Sequence, residues 1–289
     1  MRLSQLKDNE QGIITKVRGR GAFRKRITEM GFVKGQIVKV IKNAPLKDPV
    51  QYSIMGYEVS LRRSEASLIE VITEEEAKKL SGKSFNGVIN ETLLKTSARK
   101  KGNEIQIALV GNPNSGKTSL FNFASKSREH VGNYSGVTVD SKTALCKVDD
   151  YILNITDLPG TYSLSAYSPE ELFVRKFILG EMPDVVINVV DASNLERNLY
   201  LTTQLIDMDI KVVIALNMYD ELRKKGDEFN FDSLGKMIGI PIIPTIGSKG
   251  FGIKELFQKV IDVYEDRDPT VRHIHINYGK DVEKAIHNI

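Results

Sequence analysis

The chain has 289 residues, 41% of them apolar and 27% charged, with a single cysteine and a formal net charge of +4. Those values are those of a globular chain with room for about two domains, and the lone Cys146 excludes an internal disulfide framework and agrees with a reducing compartment. The opening residues have no apolar core of signal-peptide length, and no run approaches 18 apolar residues, so the chain as given is expected not to cross a membrane.

Charge divides the chain. Residues 1–72 hold 14 Lys and Arg against 7 Asp and Glu, and the remainder holds 27 against 30. This asymmetry predicts two domains with different partners. Within 1–72, β-branched residues and apolar–polar alternation predict short strands over 12–17, 36–42, 50–54, 58–61 and 67–72. A helix is expected over 22–30, stopped by Gly31. A small β-barrel is the natural package for so many short strands. Its basic run, Lys16, Arg18, Arg20, Arg24, Lys25 and Arg26, reads as a solvated face, as a surface for an acidic protein partner, or as an RNA surface. Nucleic acid is disfavoured as a partner, because only Phe23 offers an aromatic ring for stacking. Residues 73–103 are polar, with Gly, Ser, Asn and Lys and almost no periodicity, and read as a linker.

From 104 onward apolar strands alternate with amphipathic helices. Strands are predicted over 105–110, 142–148, 151–157, 184–190, 211–216 and 241–245, and helices over 117–126, 168–179, 195–208, 230–238 and 253–264. The fold class expected is α/β, a mostly parallel sheet with helices on both faces, whose ligand chemistry sits at the carboxyl ends of the strands.

Four loops in this region carry chemistry. The first is Gly111, Asn112, Pro113, Asn114, Ser115, Gly116, Lys117 and Thr118, between an apolar strand and a helix whose first turn continues with Ser119. This is the G-x-x-x-x-G-K-[ST] phosphate loop in its required setting. Small residues let backbone N–H groups face phosphate oxygens, Lys117 reaches the β- and γ-phosphates, and Thr118 offers a hydroxyl to Mg²⁺. The second is Asp157, Leu158, Pro159 and Gly160, at the end of the strand over 151–157. Its carboxylate would hold Mg²⁺ and the Gly160 N–H would meet the γ-phosphate. The third is Asn217, Met218, Tyr219 and Asp220. The Asp220 carboxylate would accept from guanine N1–H and its exocyclic amine, which selects GTP over ATP. The fourth, Thr245, Ile246 and Gly247, would meet the base through its backbone. Between the first two lies a glycine-rich stretch with Gly136, Val137, Thr138, Val139 and Asp140, in which Thr138 is the candidate to close on Mg²⁺ and γ-phosphate.

Taken together the loops look like a small GTPase of the G-protein superfamily, with GTP and GDP as ligands. Asn112-Pro113-Asn114, Gly136-Val137-Thr138-Val139, Asp157 through Leu164, Val189-Val190-Asp191-Ala192, Asn194 through Tyr200 and Asn217-Met218 resemble more narrowly the GTPase domain of the ferrous iron transport protein B (FeoB) family. That resemblance spans about 104–266, and 267–289 resembles the opening of the family's helical domain. Residues 1–72 resemble FeoA, an SH3-like barrel, through Arg24 to Arg26, Glu29-Met30-Gly31, Asp48-Pro49 and Gly56-Tyr57.

The resemblance implies the cytoplasmic part of a bacterial inner-membrane iron transporter. Its partners would be a membrane permease domain of a longer protein, and a barrel that docks on the GTPase or membrane domain. It also implies that Asn114 helps bind K⁺ against the phosphates. The catalytic set would then be Lys117, Thr138, Gly160 and Asn114. The residue after Gly160 is Thr161 rather than a water-orienting Gln, so slow intrinsic hydrolysis is expected. An RNA- or ribosome-associated GTPase is the alternative reading, suggested by the basic amino-terminal domain.

Overall fold

The computed structural model describes residues 1–19, 21–43, 48–73, 75–76, 102–125, 132–133, 141–165, 167–224 and 229–272. Arg20, the linker apart from its ends, the stretch 134–140 and the carboxyl-terminal segment from 273 lie outside the described residues. The chain forms two compact units, Met1–Glu104 and Ile105–Ile289.

In the first unit five antiparallel strands follow the order β4-β3-β2-β1-β5. They are β1 (Gln11–Val17), β2 (Ile37–Asn43), β3 (Val50–Ile54), β4 (Tyr57–Leu61) and β5 (Ile69–Ile72). Period-two alternation sends Val38 and Val40, Val50, Tyr52 and Ile54, and Ile69 and Val71 inward, where they meet Ile27 of helix α1 (Gly21–Glu29) and Phe32. This is a small SH3-like barrel. The sequence reading of a strand starting at 67 is corrected: the chain first makes a short helix, α2 (Arg63–Ala66), and joins the sheet only at Ile69. Glu65 supplies the reason, since its carboxylate accepts from the Arg62 N–H and closes a first turn there.

The basic run does not form one solvated face. Arg18 donates to Glu70 at 2.6 Å, Arg26 pairs with Glu65, and Lys16 is largely buried. Burial alone would raise the Glu70 carboxyl, but Arg18, Lys16 and Arg2 outweigh it and hold that carboxyl low.

The second unit is a seven-stranded sheet of order β12-β11-β10-β6-β9-β8-β7. Its strands are β6 (Glu104–Gly111), β7 (Gly132–Asn133), β8 (Lys142–Val148), β9 (Tyr151–Asp157), β10 (Val185–Asp191), β11 (Val212–Asn217) and β12 (Ile242–Pro244). Strands β6, β10, β11 and β12 run parallel, and β8 is antiparallel to β9 and to the edge strand β7. The short β7 falls where sequence reading gave only a loop.

Alternation along β6 builds two cores. Ile105, Ile107 and Leu109 face α3 (Lys117–Ser125) and α8 (Ile253–Tyr264). Ala108 and Val110 face α4 (Pro169–Glu181), α5 (Leu195–Asp207) and the smaller α6 (Tyr219–Lys224) and α7 (Phe231–Ile238). Strands covered on both sides read as near-continuous apolar runs, as β11 does and as β10 does apart from Asn188. Helix α6 was not expected from sequence. Cys146 lies in the first core, and burial pushes its thiol pKa up. No helix among the described residues is long and apolar enough to cross a membrane.

The segment after α8 is tied back by charge. Lys259 Nζ donates to Asp268 Oδ2 at 2.8 Å, and Asp268 Oδ1 accepts from the Thr270 N–H at 2.8 Å. Burial alone would raise the Asp268 carboxyl, but these partners hold it below the ordinary carboxylate range. A folded pKa below the unfolded one stabilises the fold above the unfolded value, and that stabilisation is lost as pH falls through the folded value. Asp268→Asn is therefore expected to cost about 1–3 kcal/mol at neutral pH. The gap between wild type and variant should close as pH falls below about 4, as read from denaturant melts at several pH values.

Candidate functional site

Strands β6, β9 and β11 end on the same side of the sheet, and their following loops converge there. After β6 the backbone turns through Asn114 and Gly116, both at positive φ (+65° and +85°), before α3 begins at Lys117. Gly116 has no alternative: a Cβ there would run into the Asn217 amide nitrogen. Lys117 folds back over the loop and its ammonium donates to Gly111 O at 3.3 Å.

One turn of α3 and the end of β9 bring three functional groups together. Thr118 Oγ1 donates to Asp157 Oδ2 at 3.4 Å, while Asp157 Oδ1 is buried and has no hydrogen-bond partner among the described residues. Lys117 is only 7% exposed. Burial pushes the Asp157 carboxyl up, against the pull of Lys117, Thr118 and Lys142, and burial pushes the Lys117 ammonium down, against the pull of Asp157. A buried carboxylate oxygen with an unused lone pair beside a threonine hydroxyl is a donor set suited to a hard divalent cation.

The loop after β9 lies along the phosphate loop. The Leu158 N–H donates to Leu109 O and the Thr161 N–H to Gly111 O, both at 3.1 Å, and Gly160 sits against the Pro113 backbone. Pro159 and Gly160 stay partly exposed, whereas Thr161 is buried and its hydroxyl donates to Ser163 O at 2.6 Å.

Asn217, 3% exposed at the end of β11, joins two loops. Its amide donates to Ser115 O at 2.8 Å, and its carbonyl accepts from the Gly247 N–H at 2.9 Å and from Thr245 Oγ1 at 3.4 Å. Met218 turns the chain at φ +58°, and Asp220 enters α6 with its carboxylate 2.8 Å from Lys249 Nζ. That hydrogen bond holds the Asp220 carboxyl low. Ile246 closes the loop through a bond from its N–H to Phe251 O at 3.1 Å.

The structure thus brings Gly111 to Ser119, Asp157 to Gly160, Asn217 to Asp220 and Thr245 to Gly247 to one end of the sheet. Gly136, Val137, Thr138, Val139 and Asp140 lie outside the described residues. Sequence reading missed three features. Lys249 on Asp220 carries no motif signal. The Asn112 amide donates to Arg197 O at 3.3 Å, and the Arg197 guanidinium lies 4.0 Å from the Tyr162 ring centroid. Ser168 caps α4 by accepting from the Glu171 N–H, while Glu171 accepts from Ser163 and from the Tyr167 N–H. The spacing of Ser168 and Glu171 is the S-x-x-E signature of a helix start that sequence does display.

A phosphate loop on a mixed α/β sheet, with its lysine, hydroxyl and strand-end carboxylate gathered and a base-side loop pinned to it, defines a P-loop GTPase domain. The model of ferrous iron transport protein B matches residues 105–260, and that of the FeoA domain matches residues 1–73. The chain belongs to the ferrous iron transport protein B family, with a FeoA domain in front of its GTPase domain.

An Fe(2+) transport protein A/Fe(2+) transporter FeoB fusion protein from Porphyromonas gingivalis is 49% identical over 99% of this chain. The chain spans 37% of that relative's length. Among solved structures, the FeoB G-domain from Methanococcus jannaschii is 36% identical with a TM-score of 0.51, covering 56% of this chain and 99% of that one. An S. thermophilus NFeoB variant bound to GDP is 45% identical with a TM-score of 0.56, covering 64% and 70%.

Replacing Asn217 by Ala removes the tie between the loops and leaves buried partners unpaired, each costing about 1–3 kcal/mol. GDP affinity is expected to fall by about 10- to 100-fold, read by titration of a fluorescent GDP.

Proposed function

We propose that this chain binds and hydrolyses GTP as the cytoplasmic part of a ferrous iron transporter at the bacterial inner membrane. Its nucleotide state would gate Fe²⁺ uptake through a membrane permease domain of a longer protein. The observation that carries this reading is the meeting of the buried Lys117 and the exposed Thr118 of the phosphate loop with the half-buried Asp157 at the end of β9, the phosphate loop being pinned through Asn217 to the loops beside Asp220. The basic FeoA barrel is a regulatory module that docks on the GTPase or membrane domain.

In this reading the backbone N–H groups from Asn114 to Thr118 and the Lys117 ammonium bind the β- and γ-phosphates, and the Gly160 N–H meets the γ-phosphate. Thr118, Asp157 and Thr138 would hold Mg²⁺, which supplies charge neutralisation to the phosphates when bound. Asp220 reads guanine. Its carboxylate, kept ionised by Lys249, accepts two hydrogen bonds that adenine has no donors to make.

Chemistry is slow for a local reason. The Thr161 hydroxyl is already donated to Ser163 O, so it does not orient an attacking water. Asn114, exposed at the tip of the phosphate loop, instead helps hold a K⁺ ion whose charge supports the transition state.

GTP turnover by the full chain in potassium against sodium buffer, at equal ionic strength with Mg²⁺ present, tests this. Stimulation by potassium of about tenfold or more is expected, and Asn114→Ala should abolish the stimulation while leaving GDP binding within about threefold. Equal slow rates in both salts would remove the K⁺ role and leave GTP binding standing. Separately, Asp220→Asn should move preference from guanine to xanthine nucleotides by about 100-fold or more, because the amide donates where the carboxylate accepted. Competition binding with the two diphosphates reads that switch.

A further inference from the structure

Helix α3 carries an aromatic ring that neither the core nor the phosphate chemistry accounts for. Its apolar stripe is Leu120, Phe121 and Ala124, all buried in the sheet core. Phe123 lies off that stripe and is 38% exposed. Its ring lies directly against Gly250, where a Cβ would run into the ring carbons and where φ is +73°. Three residues earlier, Gly247 lies alongside Leu120, with a Cβ there only 3.1 Å from Leu120 N. The loop that follows β12 therefore runs along one turn of α3 and meets it at two glycines. Two residues spaced by three on a helix stand about 4.5 Å apart along its axis, the span of that contact.

The loop is also held by its own backbone, where the Lys249 N–H donates to Ile246 O at 2.9 Å. Gly247 is held by Asn217, and Ile246 and Phe251 bridge its base. Lys249 sits between the two glycine contacts and reaches Asp220 at 2.8 Å. An exposed ion pair of this kind contributes little by itself and keeps its geometry only if the backbone beneath it is fixed.

We infer that Phe123 is a positioning residue for guanine recognition: its ring clamps Gly250, which keeps Lys249 on Asp220 and slows release of the bound guanine nucleotide. The inference rests on the GTP-binding reading above. It gives α3 two duties, since the helix that opens on the phosphates also backs the loop beside the base.

Displacement of a fluorescent GDP from the full chain with Mg²⁺, followed by stopped flow, tests it. Phe123→Ala is expected to speed GDP release about tenfold, with the single-turnover hydrolysis rate unchanged, and Phe123→Leu to restore release to within about twofold of wild type. Lys249→Met should also speed release, and the double variant should release no faster than the faster single variant, because both act on one contact. Wild-type release rates in Phe123→Ala would overturn the inference. So would acceleration with an equal fall in single-turnover hydrolysis, which would mean that the whole phosphate-loop helix had shifted. Additive effects of the two substitutions would overturn the route through Lys249. Should Phe123→Ala not fold, Phe123→Gln keeps the helix and removes the ring, and it is read by the same rates. Failure of the wild-type chain to bind GDP would sink the GTPase reading itself, an outcome separate from all of these.

Discussion

Everything at the nucleotide end of the second unit depends on one buried carboxamide. Asn217 closes β11, the most enclosed part of the sheet, where every strand residue is buried. Its amide side must donate and its carbonyl side must accept, and an unpaired group at that depth costs about 1–3 kcal/mol. Ser115 O on one loop and the Gly247 N–H on another satisfy it, so the phosphate loop and the base-side loop take their spacing from the width of a single side chain. The Ala192 N–H donates to Asn217 O at 2.9 Å, which extends the constraint to the end of β10. Gly116 is glycine because this amide fills the space where a side chain would stand.

The sheet makes such precision possible. Four parallel strands covered on both faces fix where their carboxyl ends lie, and the loops after β6, β11 and β12 begin within a residue or two of such an end. Loops on a rigid frame need few contacts of their own. The loop after β9 is aligned by two backbone bonds to β6, through Leu158 and Thr161. The barrel follows a different logic. Its β3 alternates inward and outward while β1 is buried along most of its length, and its charges are partly neutralised within the unit, Arg18 by Glu70 and Arg26 by Glu65.

Much of this was legible in the sequence because its signals are local. Apolar runs such as Val185 to Val190 mark covered strands, and a glycine-rich turn between strand and helix marks a phosphate loop. The features that escaped are set by partners far along the chain. Lys249 meets Asp220 across 29 residues, and Arg197 meets Tyr162 across 35, with no spacing to announce either. Helix α2 fills the gap between two expected strands because Glu65 folds back on Arg62, so the second of them starts only at Ile69, and α6 was hidden because its six residues are too few to show periodicity. The basic run misled in a different way: sequence counts charges but does not show which ones are already paired. Ser168 and Glu171 are the exception, a local signal that was present and went unread. The stretch with Gly136 to Asp140 lies outside the described residues, so its reading stands as sequence alone supports it.

The sheltered position of Cys146 has a practical side. It is the chain's one thiol, buried among Ala144, Leu153 and Ile155, and burial disfavours the reactive thiolate. Thiol-directed reagents therefore find almost nothing to modify on the native surface. A cysteine introduced at any exposed position would be labelled against a silent background, so the two units of this chain can be tagged one at a time without first removing a native residue from the core.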